Sequence, residues 1–361
     1  MHSEGDYPHI VRVETGLWSL DRALSGLRKN PKTEKLETVL GWPMTIYEVF
    51  GMKGVGKSNF STSMAGIVSQ SFGKDIVYAP IEHVDRDLLE NTLESVGFDG
   101  LVSILGGRDM VKKFQPMLKM GKDETVTDEI LGDCFVEALR QDGYIFGVFD
   151  SLSAVSPIEE EQSSSADKNM GRRARLSGVW VRQINHSARF RENGLGPSVV
   201  FITHNVTSMS TTPTNTGTPT SGGEAKKNLA KARIKIRKIQ EPTMTEHDEN
   251  AYVIEGTVEQ FNFGKDKRKF YVVILGGRGI HRGLTAMYDC KMTGLCTFGK
   301  SITVGGEKLG SMKTVLAHAH GGNDEFFQPF FDALKNPKRA EAKENIDKVD
   351  ELADWQDEPA E

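Results

Sequence analysis

Apolar residues along the chain gather in short runs of strand length. Thr45-Ile46-Tyr47-Glu48-Val49-Phe50, Ile76-Val77-Tyr78-Ala79-Pro80-Ile81, Tyr144-Ile145-Phe146-Gly147-Val148-Phe149-Asp150 and Ser198-Val199-Val200-Phe201-Ile202-Thr203 are nearly continuous in apolar side chains. Runs this short and this dry fit strands covered on both faces. Between them, residues 88–96 and 126–140 place apolar positions at helical spacing, and 59–70 and 176–190 also read as helices. Pro80 predicts an irregular end to its strand. Further strands are predicted at 232–239, 252–263 and 270–275. Strand alternating with helix predicts an α/β fold: a mostly parallel sheet covered by helices.

The polar stretches divide the chain. Thr15-Gly16-Leu17-Trp18-Ser19-Leu20-Asp21 reads as a turn leading into a helix, and 28–41 as a polar surface loop. Residues 156–169 are serine-rich and polar. Residues 205–223 consist almost entirely of Thr, Ser, Pro, Gly and Asn, a length of loop that inside a compact domain is commonly functional or disordered. The expected organisation is a short N-terminal segment over 1–40, a core over 41–280, a small α+β domain over 281–340, and an acidic flexible tail over 341–361.

Composition narrows the setting. The 361 residues are 38% hydrophobic and 26% charged, ordinary for a water-soluble globular protein. No apolar run is long enough to span a bilayer, so no membrane partner is expected, and the N-terminus lacks a signal-peptide pattern. Cys134, Cys290 and Cys296 are too few and scattered for a disulfide framework or metal cluster, and they fit a reducing cytoplasm. Nine acids and two lysines give 341–361 a formal charge of −7, so the −5 of the whole chain leaves the rest at +2. Such a tail is either a solvated end or a competitor with nucleic acid for basic surface.

The chemistry starts at Gly51-Met52-Lys53-Gly54-Val55-Gly56-Lys57-Ser58, a complete P-loop between a predicted strand and a helix that includes Asn59. Its glycines let backbone N–H groups close around phosphates, Lys57 can reach the terminal phosphates, and the Ser58 hydroxyl can take a Mg²⁺ position. Without that context the same residues would be a glycine turn with a chance lysine. Three strand ends add to it. Asp150 can hold Mg²⁺ through water. Glu82, followed by His83, can orient or deprotonate an attacking water. His204 can touch the γ-phosphate and report it to the loop that follows. Taken singly these are a common strand-end acid, a surface acid and a satisfied histidine; all three at ligand-side strand ends is the informative observation.

In this order the motifs resemble the RecA family of recombinases and its phage relatives, from about Val11 to about Lys313. The resemblance covers Glu14-Thr15-Gly16, Ser19-Leu20-Asp21, the P-loop, Glu82-His83, Asp150-Ser151 with Ala154-Val155-Ser156-Pro157, Met170-Gly171 with Ala174-Arg175, Phe201-Ile202 to His204, Gly222-Gly223, Arg233-Ile234-Lys235-Ile236-Arg237 and Gly306-Glu307-Lys308-Leu309-Gly310. It implies a RecA-like ATPase core with two DNA loops, at about 156–175 and 205–223, and a cofactor set of ATP and Mg²⁺. It also implies Glu82, Lys57 and His204 as the catalytic set. Met170, Gly171, Arg172, Arg173 and Arg175 would contact DNA from the first loop and Gly222 and Gly223 from the second. The arginine cluster suits phosphate neutralisation, or else forms a solvated helix face. Residues 205–223 contain no lysine, arginine or aromatic, so hydroxyl and backbone donors would bind there rather than stacking rings.

The implied function is a bacterial or phage-encoded cytoplasmic, DNA-dependent ATPase. It would form a helical filament on single-stranded DNA and exchange strands with a homologous duplex, with a mediator or single-strand-binding protein as a further partner and no membrane. A RecA-type motor or helicase, and an accessory paralogue without strand exchange, are the alternatives. Three departures bear on them. The family's long N-terminal helix and strand have little room before Val11. The lysine pair that reaches a neighbour's ATP aligns near Gln260 and Asn262, with Lys265 and Lys267 close by. An adenine-stacking aromatic is replaced by Gly276.

Overall fold

The computed structural model describes residues 10–30, 33–106, 112–113, 126–156, 170–189, 195–204 and 230–337. A nine-stranded sheet organises them. In chain order its strands are β5 (Ile46–Gly51), β6 (Asp75–Pro80), β7 (Val102–Ile104), β8 (Tyr144–Asp150), β9 (Ser198–His204), β10 (Ala232–Ile239), β11 (Tyr252–Phe261), β12 (Lys269–Leu275) and β13 (Gly279–Ile280). Across the sheet the order is β13-β12-β11-β10-β5-β9-β8-β6-β7. From β10 to β7 every neighbouring pair is parallel, while β11, β12 and β13 join antiparallel. The sheet is therefore mostly parallel, with an antiparallel flank.

The dry runs are buried on both faces because the residues alternate between two cores. Tyr47, Val49, Ile76, Tyr78, Val200 and Ile202 pack towards one face, with Phe60, Met64 and Val68 of α2 (Lys57–Gln70) and Leu89 and Leu93 of α3 (Arg86–Ser95). Ile46, Val77, Ala79, Phe149, Val199 and Phe201 point the other way, towards Phe135 and Leu139 of α4 (Asp128–Arg140) and Trp180 and Ile184 of α5 (Met170–Arg189). Asp85 caps α3 through Leu88 N at 3.2 Å, and Thr127 caps α4 through Ile130 N at 3.4 Å. These caps set helix starts that apolar spacing alone leaves open.

Before the core lie β1 (Arg12–Val13), α1 (Trp18–Ala23), β2 (Gly26–Lys29), β3 (Leu36–Val39) and β4 (Trp42–Pro43). The stretch expected as a polar surface loop over 28–41 is instead an antiparallel hairpin, β2 against β3. Arg28 lies opposite Glu37, and the Asn30 amide bonds the Glu37 carboxylate at 2.6 Å, so cross-strand polar pairs hold it together. Leu27 and Leu36 on it are 69% and 58% exposed. With no buried face, the hairpin leaves no alternating apolar signal.

After the core come α6 (Pro242–Thr245), α7 (Arg282–Met292), β14 (Cys296–Thr297), β15 (Ile302–Val304), β16 (Glu307–Gly310), α8 (Met312–His320) and α9 (Gln328–Lys335). β14, β15 and β16 form a small antiparallel sheet. A third core joins Met287, Val315, Leu316, Phe327 and Phe330 to Val253, Val273 and Leu275 of the antiparallel flank. α1 is tied to this end: Ser19 N donates to Asp289 Oδ2 at 3.1 Å, and Tyr271 N donates to Ser19 Oγ at 3.0 Å. The acidic tail lies outside the described residues.

Candidate active site

The ligand-side ends of β5, β6, β8 and β9 bring the sequence-derived residues together. β5 is buried throughout and delivers the chain to the loop at Gly51. A Cβ on Gly51 would sit 2.4 Å from the Ile236 carbonyl oxygen, so strand packing itself demands glycine there. Gly54 and Gly56 have φ of 77° and 92°, a left-handed conformation that side chains resist. Around Gly54 there is nothing within 4 Å of where a Cβ would lie, whereas at Gly56 a Cβ would meet the Tyr252 hydroxyl at 2.7 Å. Met52 and Lys53 are exposed, Val55 is half-buried, and α2 begins at Lys57 rather than at Asn59. Lys57, Ser58 and Asn59 thus form its first turn, where unpaired N–H groups favour an anion.

Lys57 is buried, and its ammonium donates to the carbonyls of Met52 at 2.7 Å and Gly51 at 3.2 Å. Burial pulls its pKa down, opposed by the nearby carboxylates of Asp150 and Glu82. Asn59 Nδ2 reaches the Tyr252 hydroxyl at 3.4 Å.

Asp150 ends β8, and its Oδ2 accepts from Ser58 Oγ at 2.5 Å and from the Tyr78 hydroxyl at 2.8 Å. Burial raises the Asp150 pKa, while the Ser58 and Tyr78 bonds lower it in part. Ser58 lies at an exposed rim, so a hydroxyl and a carboxylate face the cradle side by side. These are hard oxygen donors, the chemistry that Mg²⁺ takes, and the pair fits such an ion. The Asp150–Ser151 peptide is cis.

Glu82 follows β6, its backbone N–H bonded to the Asp150 carbonyl at 3.1 Å. Its Oε1 accepts from Ser151 Oγ at 2.7 Å and lies 3.0 Å from His204 Nε2. Burial pushes the Glu82 pKa up, but the bonds from Ser151 and His204 outweigh it and leave the group below its usual value. Glu82 is therefore ionised at neutral pH and ready to accept. His83 is exposed. His204 ends β9 directly opposite Gly51 in the parallel ladder, and its backbone N–H donates to Ser153 Oγ at 2.8 Å. Lys57, Ser58, Glu82, Asp150 and His204 thus share one end of the sheet.

The DNA-binding candidates are placed less fully. Met170, Gly171, Arg172, Arg173 and Arg175 occupy the start of α5, so the part of the first expected loop from 170 to 175 is helical. Arg175 is exposed on that helix. Gly222 and Gly223 lie outside the described residues. Of the motif after the second loop, Arg233 is taken up internally: its Nε bonds Glu48 Oε2 at 2.6 Å, and Glu48 also accepts from Thr203 Oγ1 at 2.9 Å. Arg237 forks onto Glu255 at 2.8 and 3.0 Å. Gln260 bonds Asn262 at 3.4 Å, Lys267 pairs with Glu259, and Lys265 is exposed. Gly276 has no room for a side chain, since a Cβ would lie 2.4 Å from Asn250 Cβ.

Sequence reasoning missed Tyr78 and Ser151 as partners of the two carboxylates. Ser151 had a signal in its position beside Asp150, while Tyr78 reads as one more apolar residue of its strand.

No family model matches the chain. RecA of Campylobacter fetus subsp. fetus is 33% identical over 117 residues, 32% of this chain and 32% of the relative. The chain therefore spans about a third of that protein in this alignment. RecA of Nautilia profundicola is 23% identical over 367 residues, covering 98% of this chain and 90% of the relative. Among solved structures, the RadB recombinase aligns with 14% identity and a TM-score of 0.41 over 67% of this chain and 92% of its own. A KaiC-like protein of Pyrococcus horikoshii OT3 aligns with 15% identity and a TM-score of 0.45 over 75% and 98%. The chain is similar to RecA over nearly its whole length.

Proposed function

We propose that this protein is an ATP-dependent recombinase that assembles into a helical filament on single-stranded DNA and promotes pairing and strand exchange with a homologous duplex. One observation carries the reading. Glu82, the residue suited to act on the attacking water, is bonded to His204, and His204 is the last residue before the segment that the motifs assign to the second DNA loop. Nucleotide chemistry and DNA contact are then joined by one hydrogen bond.

In this mechanism the backbone N–H groups of 52–57 and the Lys57 ammonium hold the phosphates. Ser58 and, through water, Asp150 would hold Mg²⁺, which would supply neutralisation of phosphate charge. Glu82 orients the water and accepts its proton, and Ser151 keeps the carboxylate aimed. His204 loses or gains its contact with Glu82 as the phosphates change, and so biases the loop that follows it. Arg175 and its neighbours on α5 neutralise DNA phosphates. Subunits stack head to tail, and such heterologous contacts give open filaments when the rotation does not close. No helix among the described residues is long and apolar enough to cross a membrane. A cytoplasmic setting, with a mediator or single-strand-binding protein as further partner, completes the reading.

Gln260 and Asn262 favour one second reading. Amides at the place of a charge pair weaken activation of ATP across the subunit boundary, as in an accessory paralogue that binds DNA without exchanging strands. Electron microscopy with single-stranded DNA and a non-hydrolysable ATP analogue tests the assembly, with helical filaments expected and closed rings favouring a motor. A strand-exchange assay with homologous duplex then separates recombinase from accessory protein: filaments without joint molecules would leave the second reading.

A further inference from the structure

Tyr78 is the largest polar side chain on its strand and one of the most deeply buried, 2% exposed. It lies on the face of β6 that packs against α2, among Phe60, Met64 and Val68. A phenylalanine would fill that space equally well, so the hydroxyl needs a separate reason. Its partner is Asp150 Oδ2 at 2.8 Å, the oxygen that also receives the Ser58 hydroxyl at 2.5 Å. Thr62, one turn beyond Ser58 on α2, comes near the Tyr78 hydroxyl. The register Pro80 opposite Asp150 brings the two strands together at this point.

We infer that Tyr78 is a positioning residue for the divalent cation, acting through Asp150. A serine hydroxyl has one proton. With that proton committed to Asp150 Oδ2, the lone pairs of Ser58 are left for a cation. The commitment holds only while Oδ2 stays put, and the Tyr78 bond pins it from the buried side. A line of bonds from Tyr78 through Asp150 to Ser58 thus ties the cation's ligand to the core. Partners of this kind, one step removed from the ion, commonly change metal affinity by about 10- to 100-fold when removed.

The inference rests on the P-loop reading, and the test separates the two. Binding of a fluorescent ADP analogue to the full-length protein is titrated with Mg²⁺ for the wild type, Tyr78→Phe and Thr62→Val. The half-saturating Mg²⁺ concentration should rise roughly tenfold in Tyr78→Phe, with Mg²⁺-free nucleotide affinity altered by less than about twofold. Thr62→Val should shift it in the same direction by a smaller factor, and it serves alone if the tyrosine variant does not fold. An unchanged Mg²⁺ requirement in the folded variants overturns the inference, as does an equal loss of affinity with and without Mg²⁺, which would make Tyr78 a packing residue. A wild type that binds no nucleotide at any Mg²⁺ concentration would instead remove the P-loop reading, and the inference with it.

Discussion

Two hydrogen bonds converge on Glu82, one from Ser151 and one shared with His204. Replacing Glu82 with Gln keeps the shape but removes the acceptor for a proton. Phosphate release should fall by at least about a hundredfold, while nucleotide affinity stays near wild type. Turnover at the normal rate would reassign the base. For His204 the expectation concerns coupling rather than rate. In His204→Ala, ATP and DNA should each bind, but the gain in single-stranded DNA affinity on adding ATP should vanish; such couplings are typically worth about 1–3 kcal/mol. His204→Gln, which keeps a donor, should retain part of it, and DNA titrations with and without ATP decide. That these acids and the histidine share one end of the sheet was legible because the C-terminal ends of neighbouring parallel strands lie on one side. Tyr78 was not, because a hydroxyl on a buried ring declares itself only once its partner is in place.

Elements were legible where one face is dry. The four central strands and the helices on them follow from apolar runs and helical spacing, since burial imposes both. The hairpin of β2 and β3 escaped because both of its faces meet water, and the start of α5 escaped because its first turns carry arginines rather than an apolar stripe. The fit between α4 and α5 needed coordinates as well. A Cβ on Gly132 would lie 2.1 Å from the Trp180 ring, whose Nε1 donates to Asp133 Oδ1 at 2.9 Å. Gly132→Ala must therefore push α5 outward or displace the indole. It should cost about 1–3 kcal/mol in urea unfolding, the usual range for an overpacked core. Nucleotide binding should survive, because the P-loop lies against the opposite face. An unchanged unfolding midpoint would mean that the two helices separate freely.

The whole molecule carries charge in two informative places. Asp289 is fully buried between α1 and the antiparallel flank, and burial raises its pKa to about 7, with bonds from Ser19 offsetting this only in part. Asp21 is raised to about 6 by the same cause. An acid that titrates higher folded than unfolded favours the folded state below its unfolded pKa. That contribution is lost as pH climbs from about 4 to about 7. Asp289→Asn should flatten the decline, gaining on the order of 1–3 kcal/mol over wild type at pH 7.5 relative to pH 4. Equal pH slopes in urea unfolding would show that Asp289 stays ionised. The tail over 341–361 acts at longer range. Deleting its −7 should tighten duplex DNA binding at low salt and have less effect at high salt. Equal affinities of intact and truncated protein at low salt would end the idea of a competing tail. The strand order has a further consequence, for biosynthesis. β5, which carries the P-loop, has β10 on one side and β9 on the other. Those partners leave the ribosome only after Ser198 to His204 and Ala232 to Ile239 have been made. Until then the strand that leads into the P-loop has no neighbour in the sheet, and an apolar segment waits unpaired for well over a hundred residues of translation. The strand should therefore stay open to holding chaperones through about half of the chain's synthesis, and the P-loop should reach its folded setting late, when the second half of the core closes around the first.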